Sequence, residues 1–251
     1  MTFKPDSTCA RDVRAAVNFG ERAADLKTDI ILLHYTGMET AQAALDWLCC
    51  EESGVSCHYF VFEDGRISQL VPEIKRAWHA GKSSWQDVTD INSRSIGIEI
   101  ANPGHNFGYP DFPEVQIEAV IELCRDVIDR HDIPQRQVLA HSDVAPGRKP
   151  DPGEKFPWQT LFDHGVGHWV PIQKARTAGF LQLGDNGEPV AGLQALLALY
   201  GYGVPISGSY DQITYDCIEA FQRHFRQSRI DGIADGETLS TLDALVQNLV
   251  T

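Results

Sequence analysis

The chain has 251 residues, and its 35 acidic against 21 basic side chains give a formal net charge of −14. This length suits one large domain or, more plausibly, a domain of medium size followed by a small one. Such an acidic chain repels phosphate backbones and anionic lipids, which excludes nucleic acid and membrane surfaces as expected partners.

The first twenty residues carry charged side chains throughout and contain no run of seven apolar residues, so they lack the apolar core of a secretory signal. No segment approaches the roughly 18 consecutive apolar residues of a membrane-spanning helix. We therefore expect a cytoplasmic protein with no membrane insertion. The six cysteines form no C-x-x-C pair, which favours free, mostly buried thiols over a disulfide scaffold or a cysteine-rich zinc site.

The apolar runs in the first part of the chain predict strands that alternate with helices. Residues 29–36 form a short apolar run typical of a buried strand, and residues 41–50 have the spacing of a helix. Residues 56–62 and 66–71 are predicted to be two strands. The Asp-Gly pair at residues 64–65 between them favours the positive backbone dihedral angles of a tight turn.

Three further elements follow before the chain changes character. Residues 94–101 alternate between apolar and polar side chains and predict a strand. Residues 113–131 carry apolar side chains at spacings of three and four, which predicts one face of a long helix. Residues 138–140 are predicted to be a last short strand. This order predicts an α/β or α+β domain with a central mixed β-sheet flanked by helices.

A boundary is predicted within residues 171–185, where the sequence is polar and contains glycine. Three helical patterns follow it, so we expect a small all-α three-helix module. Residues 207–214 and 231–238 form a faint internal repeat, in which a glycine turn leads to Asp211 or Asp235, each suited to cap the next helix. The module carries no cluster of catalytic residue types, so we expect it to bind or position a ligand.

His34 and His141 both end short apolar runs, where a side chain emerges from a sheet edge toward a loop. Taken singly, each histidine is as well explained by a structural role. The stretch that His141 opens is rich in proline and glycine and carries the carboxylates Asp143 and Asp151. Two histidines and a loop carboxylate would give zinc three ligands and leave the fourth position for water, as a catalytic site requires.

Four separated motifs occur in order along the chain: the strand ending in His34-Tyr35-Thr36, AWHAG at residues 77–81, SIGIEI at 95–100 and the stretch 141–153. Together they resemble the zinc-dependent N-acetylmuramoyl-L-alanine amidases of the bacteriophage-lysozyme and peptidoglycan-recognition-protein fold. Within that group, the similarity is greatest to the branch with the muropeptide-recycling amidase.

The C-terminal module resembles the small three-helix peptidoglycan-binding domain, whose DGxxGxxT signature is approximated by DGIADGET at residues 231–238. The two resemblances together imply a zinc amidase catalytic domain over residues 1–175 and a peptidoglycan-binding domain over residues 186–251.

The resemblance implies that Zn²⁺ is bound by His34, His141 and Asp151. It also implies that Glu99 is the general base and that Lys149 lies near the metal. These residue types suit the roles, because zinc lowers the pKa of a bound water toward about 7 and a carboxylate can carry its proton to the leaving alanine nitrogen. A lysine can stabilise the oxyanion that develops on the carbonyl. The alternative for Glu99 is a solvent-facing glutamate at a strand edge.

Five residues lie where relatives line the muropeptide groove or flank the base and the metal loop, and the resemblance implies that they contact substrate. They are Trp78, His79, Ala80, Asn102 and Arg148. The alternative is that Trp78 packs in the core and His79 lies at the surface, which would give the same sequence pattern.

The other histidines fall outside the resemblance. His58 faces the same way as Phe60 and Phe62 in an alternating strand, which favours a packing role. The remaining five are expected at the surface: His105, His131, His164, His168 and His224. Cys57 stands where the phage and animal relatives have a catalytic tyrosine, which favours the branch that uses a glutamate as base.

These features predict an enzyme that cleaves the amide between N-acetylmuramic acid, or its 1,6-anhydro form, and the L-alanine of the stem peptide. The expected partners are peptidoglycan or muropeptide fragments, and the sequence sets no oligomeric state. A recognition protein that binds peptidoglycan without cutting it is one alternative. An amidase or deacetylase acting on other acylated amines is another. The missing signal favours recycling of imported fragments, whereas the C-terminal module favours contact with the cell wall.

Overall fold

The computed structural model describes residues 3–175 and 179–249. They divide into two compact units. Within the described residues, the first unit comprises 3–81, 90–141 and 151–167. The second comprises 82–89, 142–150 and the described part of 168–251, so two segments from the first half of the chain belong to the C-terminal unit.

In the described part of the chain, the strands lie in the first unit, and six of them form the predicted mixed sheet. They are β1 (Asp12–Val13), β2 (Phe19–Glu21), β3 (Ile30–Tyr35), β4 (Tyr59–Val61), β5 (Ile67–Gln69), β6 (Lys75–Ala77), β7 (Ser95–Ile100) and β8 (Val138–Ala140). Six of them pair in the order β1-β5-β4-β7-β3-β8, and β2 pairs with β6 in a small antiparallel sheet. The β4–β5 pair is antiparallel, and the other pairs of the large sheet are parallel.

The centre of the sheet is formed by β3 and β7, whose apolar runs are buried on both faces. Ile30, Ile31, Leu32 and Leu33 have no exposed surface, which is typical of a parallel strand covered on both sides. Helix α3 (Glu114–His131) contacts β3 and β4, and the apolar residues that predicted it form its buried face. The predicted helix is confirmed with one residue fewer, because Pro113 caps its N-terminus.

The other helices are mostly short in the first unit and longer in the second. They are α1 (Ala41–Cys49), α2 (Ile91–Arg94), α4 (His141–Val144), α5 (Trp158–Asp163), α6 (Glu188–Tyr200), α7 (Gln212–Phe225) and α8 (Gly236–Gln247). The strand expected over 94–101 starts one residue later, because Arg94 ends α2. No helix in the described part of the chain is both long enough and apolar enough to cross a membrane.

The internal repeat of the second unit is confirmed by its caps. The Asp211 side chain accepts a hydrogen bond from the Thr214 amide at the start of α7, and Asp235 does the same for Thr238 at the start of α8. Each cap satisfies a backbone donor that the first helical turn leaves unpaired.

A second pair of matching contacts ties each turn of this repeat to the preceding helix. The buried amide of Gln194 on α6 accepts a hydrogen bond from the Gly208 backbone and donates to the Ser209 carbonyl. Gln222 on α7 accepts from the Gly232 backbone and donates to the Ile233 carbonyl. Each glutamine therefore connects the backbone of a turn to the helix that precedes it.

The histidines follow the predictions with one exception, whereas the cysteines are free as predicted but are not mostly buried. His58 is buried, as predicted, whereas the prediction that His224 lies at the surface is wrong, because its side chain is only 3% exposed. His224 lies three residues after Phe221, a spacing that puts it on the buried face of α7. The other four surface histidines are exposed or half-buried. All six cysteines are free, and three of them are buried.

The buried His58 ring is held in its neutral form. Its Nδ1 accepts a hydrogen bond from the Gly97 amide at 2.9 Å, and its Nε2 lies 3.0 Å from the Lys75 carbonyl oxygen. Burial, aided by the charge of Arg22, lowers the pKa of His58 to about 3. A second proton on the ring would face the Gly97 amide and remove that hydrogen bond.

We expect the free energy of unfolding to fall as the pH drops from about 6.5 toward 3, because the unfolded chain then binds a proton that native His58 does not. His58→Asn keeps an acceptor for the Gly97 amide and should flatten this dependence by up to about 1.4 kcal/mol per pH unit. Urea unfolding with a chelator present, at a series of pH values, measures the slope. The exposed His164→Asn is the matched control, and a slope unchanged in His58→Asn would contradict the prediction.

Candidate active site

Three side chains converge at one edge of the large sheet. His34 lies near the end of β3, His141 follows β8, and Asp151 comes from the loop beyond. Because β3 and β8 are parallel neighbours, their carboxyl ends meet at the same edge. His34 Nδ1 lies 2.9 Å from His141 Nδ1 and 3.1 Å from Asp151 Oδ2, and the last two atoms are 2.9 Å apart. All three side chains are buried.

This cluster has the donor set of a metal site. Two imidazole nitrogens and a carboxylate oxygen are ligands that zinc uses in catalytic sites, with a fourth position left for water or substrate. Burial raises the pKa of the Asp151 carboxyl, but the adjacent His141 and His34 rings outweigh burial and hold that pKa well below its usual range. The residues brought together are the three predicted ligands, and they fit a divalent metal ion.

The Nε2 atoms of His34 and His141, on the far side of each ring from the cluster, contact the segment that follows β6. His141 Nε2 lies 3.1 Å from the Ala80 carbonyl oxygen, and His34 Nε2 lies 3.0 Å from His79 Nδ1. A carbonyl oxygen can only accept a hydrogen bond, so His141 Nε2 donates and the Nδ1 lone pair points into the cluster. The structure thus gives His79 and Ala80 direct contacts with the candidate ligands, and their predicted contact with substrate stays a prediction.

A chain of hydrogen bonds sets the proton positions on His34 in the same way. Ser95 Oγ donates to the Ile91 carbonyl at 2.7 Å, so it can accept from His79 Nε2, which lies 3.3 Å away. Burial, with the nearby His34 ring, lowers the pKa of His79 well below its usual range, so its ring is neutral. His79 Nδ1 is then an acceptor, His34 Nε2 donates to it, and His34 Nδ1 keeps its lone pair for a metal.

Two further residues hold His79 in place, and sequence reasoning identified neither. Asn92 Oδ1 accepts hydrogen bonds from the backbone amides of both His79 and Ala80. Gly97 on β7 lies against the His79 ring, where a Cβ atom would come within 2.5 Å. The glycine within SIGIEI was the available signal, since glycine inside a strand often marks a close approach of another group.

Glu99 is placed beside His34 by strand register. The two residues are partners in the parallel β3–β7 pair, so their side chains extend from the same face of the sheet. Glu99 is half-buried. Cys57, by contrast, is fully buried and its Sγ donates to the Tyr59 carbonyl, and burial raises its pKa well above the usual range. The structure therefore gives Cys57 the properties of an inert packing thiol.

The remaining residues predicted to contact substrate or to lie near the metal do not join the cluster of His34, His141 and Asp151. Asn102 is buried and holds its own loop, accepting from the Gly104 amide and donating to the Pro110 carbonyl. Trp78 is half-buried in the first unit. Arg148 and Lys149 are exposed and belong to the segment 142–150 of the second unit. The roles predicted for Asn102, Trp78, Arg148 and Lys149 stay predictions.

Comparison with known proteins gives matches over both parts of the chain. Residues 24–154 match the family model described as N-acetylmuramoyl-L-alanine amidase, and residues 186–242 match that of a putative peptidoglycan binding domain. The chain is 37% identical to the N-acetylmuramoyl-L-alanine amidase AmiD of Escherichia coli (strain K12), over 90% of this chain and 85% of that protein.

Solved structures agree with these matches. The complex of AmiD from Escherichia coli with anhydro-N-acetylmuramic acid-L-Ala-D-gamma-Glu-L-Lys has a TM-score of 0.76 and 35% identity, covering 92% of this chain and 98% of that one. AmpDh3 from Pseudomonas aeruginosa has a TM-score of 0.75 and 29% identity, covering 100% of both chains.

We expect His79→Phe to weaken zinc binding by roughly 10–100-fold, the range found for partners that orient metal-ligating histidines. The substitution keeps a ring against Gly97 but removes the acceptor that holds the proton on His34 Nε2. Competition with a chromophoric chelator measures the affinity. His164→Phe, at an exposed position, is the control, and equal affinity in His79→Phe and native protein would contradict the prediction.

Proposed function

Because the chain belongs to the N-acetylmuramoyl-L-alanine amidase family, we propose that it hydrolyses the amide between N-acetylmuramic acid and the L-alanine of the peptidoglycan stem peptide. The 1,6-anhydro form is the proposed preferred substrate. The solved AmiD complex contains an anhydro-N-acetylmuramic acid peptide, which supports this choice. AmpDh3 has also been crystallised with anhydromuramic pentapeptide.

The convergence of His34 Nδ1, His141 Nδ1 and Asp151 Oδ2 at 2.9–3.1 Å is the observation that carries the proposal. A binding protein with no catalytic role would not need three buried metal donors with both ring orientations fixed. Zn²⁺ is the proposed ion, since its catalytic sites use this mixture of nitrogen and oxygen ligands. When bound, it would supply Lewis-acid chemistry and lower the pKa of a water molecule toward about 7.

The protein groups then have distinct tasks. Glu99, on the same sheet face as His34, takes the proton of the attacking water and delivers it to the alanine nitrogen as the amide bond breaks. Lys149 donates to the oxygen of the scissile carbonyl as negative charge develops there. Trp78, Asn102 and Arg148 are proposed to contact the sugar and the peptide carboxylates.

We assign the catalytic domain to residues 1–175 and the peptidoglycan-binding domain to residues 186–251. These ranges contain the two family matches, 24–154 and 186–242. The module would bring the enzyme to peptidoglycan or to large fragments of it. The expectation of a cytoplasmic location depends on the first twenty residues and stays a prediction.

The purified chain should bind about one zinc ion and release free stem peptide from a soluble anhydro-muropeptide. We expect Asp151→Asn to lose both properties, because it removes a ligand. Glu99→Gln should keep zinc but lower kcat by about 10²–10⁴-fold, because only proton transfer is removed. Metal analysis and chromatography of the released peptide measure the two effects.

Glu118→Gln, at an exposed position of α3, is the control for the loss of a carboxylate. Cleavage that continues unchanged in a strong chelator would contradict the zinc mechanism. Muropeptide binding without peptide release would instead identify the non-catalytic recognition protein. Cleavage of small amides but not muropeptides would indicate another amidase or deacetylase.

Two adjacent cations allow the oxyanion role to be separated from substrate binding. We expect Lys149→Met to lower kcat by about 10²–10³-fold, because its charge acts on the oxygen that becomes negative during the reaction. Arg148→Met should raise KM and leave kcat nearly unchanged, because its charge acts on substrate carboxylates. Steady-state kinetics on anhydro-muropeptide measures both, and a purely KM effect in Lys149→Met would contradict the assignment.

A further inference from the structure

The segment 142–150 joins two candidate ligands directly, since His141 precedes it and Asp151 follows it. It also contains Lys149. This segment, together with residues 82–89, belongs to the second unit. The conformation of a stretch that begins and ends at candidate metal ligands is therefore fixed by contacts within the C-terminal unit.

The strongest of these contacts surround Asp143. Its carboxylate is fully buried, and Oδ1 accepts a hydrogen bond of 2.7 Å from the Tyr202 hydroxyl. Its Oδ2 lies 2.7 Å from His224 Nδ1. A buried carboxylate loses its hydration, and it is stable only when hydrogen-bond donors such as these replace the lost water. Tyr202 and His224 both lie within the match to the peptidoglycan binding domain, residues 186–242.

Residues 82–89 contact the same module at the turn that follows α6. The buried Trp85 ring packs edge-on against Tyr202, with ring centroids 5.1 Å apart. The Gln86 amide donates to the Gly201 carbonyl at 2.9 Å, and a Cβ atom on Gly201 would come within 2.4 Å of Trp85. The Ser84 amide donates to the Val144 carbonyl, which connects this segment to 142–150.

On the basis of the function proposed above, we propose that Tyr202 and His224 act as positioning residues that clamp Asp143 and so hold the segment between His141 and Asp151 in its ligand-presenting conformation. The peptidoglycan-binding module then has a second role, as structural support for the metal ligands and for Lys149. This role is independent of any contact that the module makes with the cell wall.

A pair of buried tyrosines in the module provides a matched test in the full-length protein. Tyr202 and Tyr210 are at most 2% exposed, and each donates one hydrogen bond of 2.7 Å from its hydroxyl. The Tyr202 bond goes to Asp143, whereas the Tyr210 bond goes to the Gly232 carbonyl. Tyr202→Phe and Tyr210→Phe each remove one buried hydroxyl and its hydrogen bond of 2.7 Å, but only the first removes a contact with segment 142–150.

We expect Tyr202→Phe to weaken zinc affinity by about tenfold, at the lower end of the effect of outer partners of metal sites. In metal-free protein, amide hydrogens of residues 142–150 should exchange about tenfold faster, because Asp143 has lost a charge-assisted hydrogen bond. Tyr210→Phe should leave both quantities at the native value. Chelator competition and hydrogen exchange with mass spectrometry provide the two readouts.

Equal zinc affinity and equal exchange of this segment in the two variants would overturn the clamp, whether both match the native protein or both are impaired. The exchange measurement needs no metal, so it decides the proposal even if the native chain binds no zinc. In that case the proposed catalytic function is wrong. The positioning role of Tyr202 and His224 is then decided by the amide exchange rates of residues 142–150 alone.

Discussion

The parallel pairing of β3 with β7 on one side and with β8 on the other determines where the candidate catalytic groups of the first unit lie. Parallel strands direct their carboxyl ends to one edge, so a residue near the end of β3 meets one that follows β8. The same register places Glu99 beside His34. A register shift of one residue on β7 would turn the Glu99 carboxylate to the opposite face of the sheet.

Most of this arrangement could be predicted from the sequence, because it depends on apolar runs and on the residues that end them. The apolar runs that lead to His34 and His141 could be recognised, and helix α3 follows its period over its 18 residues. The resemblance carried by the four spaced motifs then predicted the three side chains that the structure brings together. The caps Asp211 and Asp235 were also predictable, since a glycine turn before an aspartate is a local signal.

The rest could not be predicted, because it depends on contacts between residues far apart in the chain. The proton positions on His34 follow from Ser95, which has no local pattern that distinguishes it from any buried serine. The spacing of His224 on α7 signalled a buried position, but its partner Asp143, which is 81 residues away, could not be read from the sequence. Strands as short as β1 and β6 have too few residues to show a period, and they form through pairing with β5 and β2, which are distant in the chain.

Two buried glutamines connect the turns of the second unit to its helices and determine the backbone path of those turns. Gln194 and Gln222 hold backbone atoms of the glycine turns and also the Ser207 and Asp231 side chains, so the path of each turn depends on these contacts and not on the other outward side chains. Those side chains differ, with Ile206 exposed near one turn and Arg229 near the other. Ile206 can therefore vary in chemistry without a change in the backbone of its turn, whereas Arg229 cannot, because its guanidinium pairs with Asp231 and Asp235.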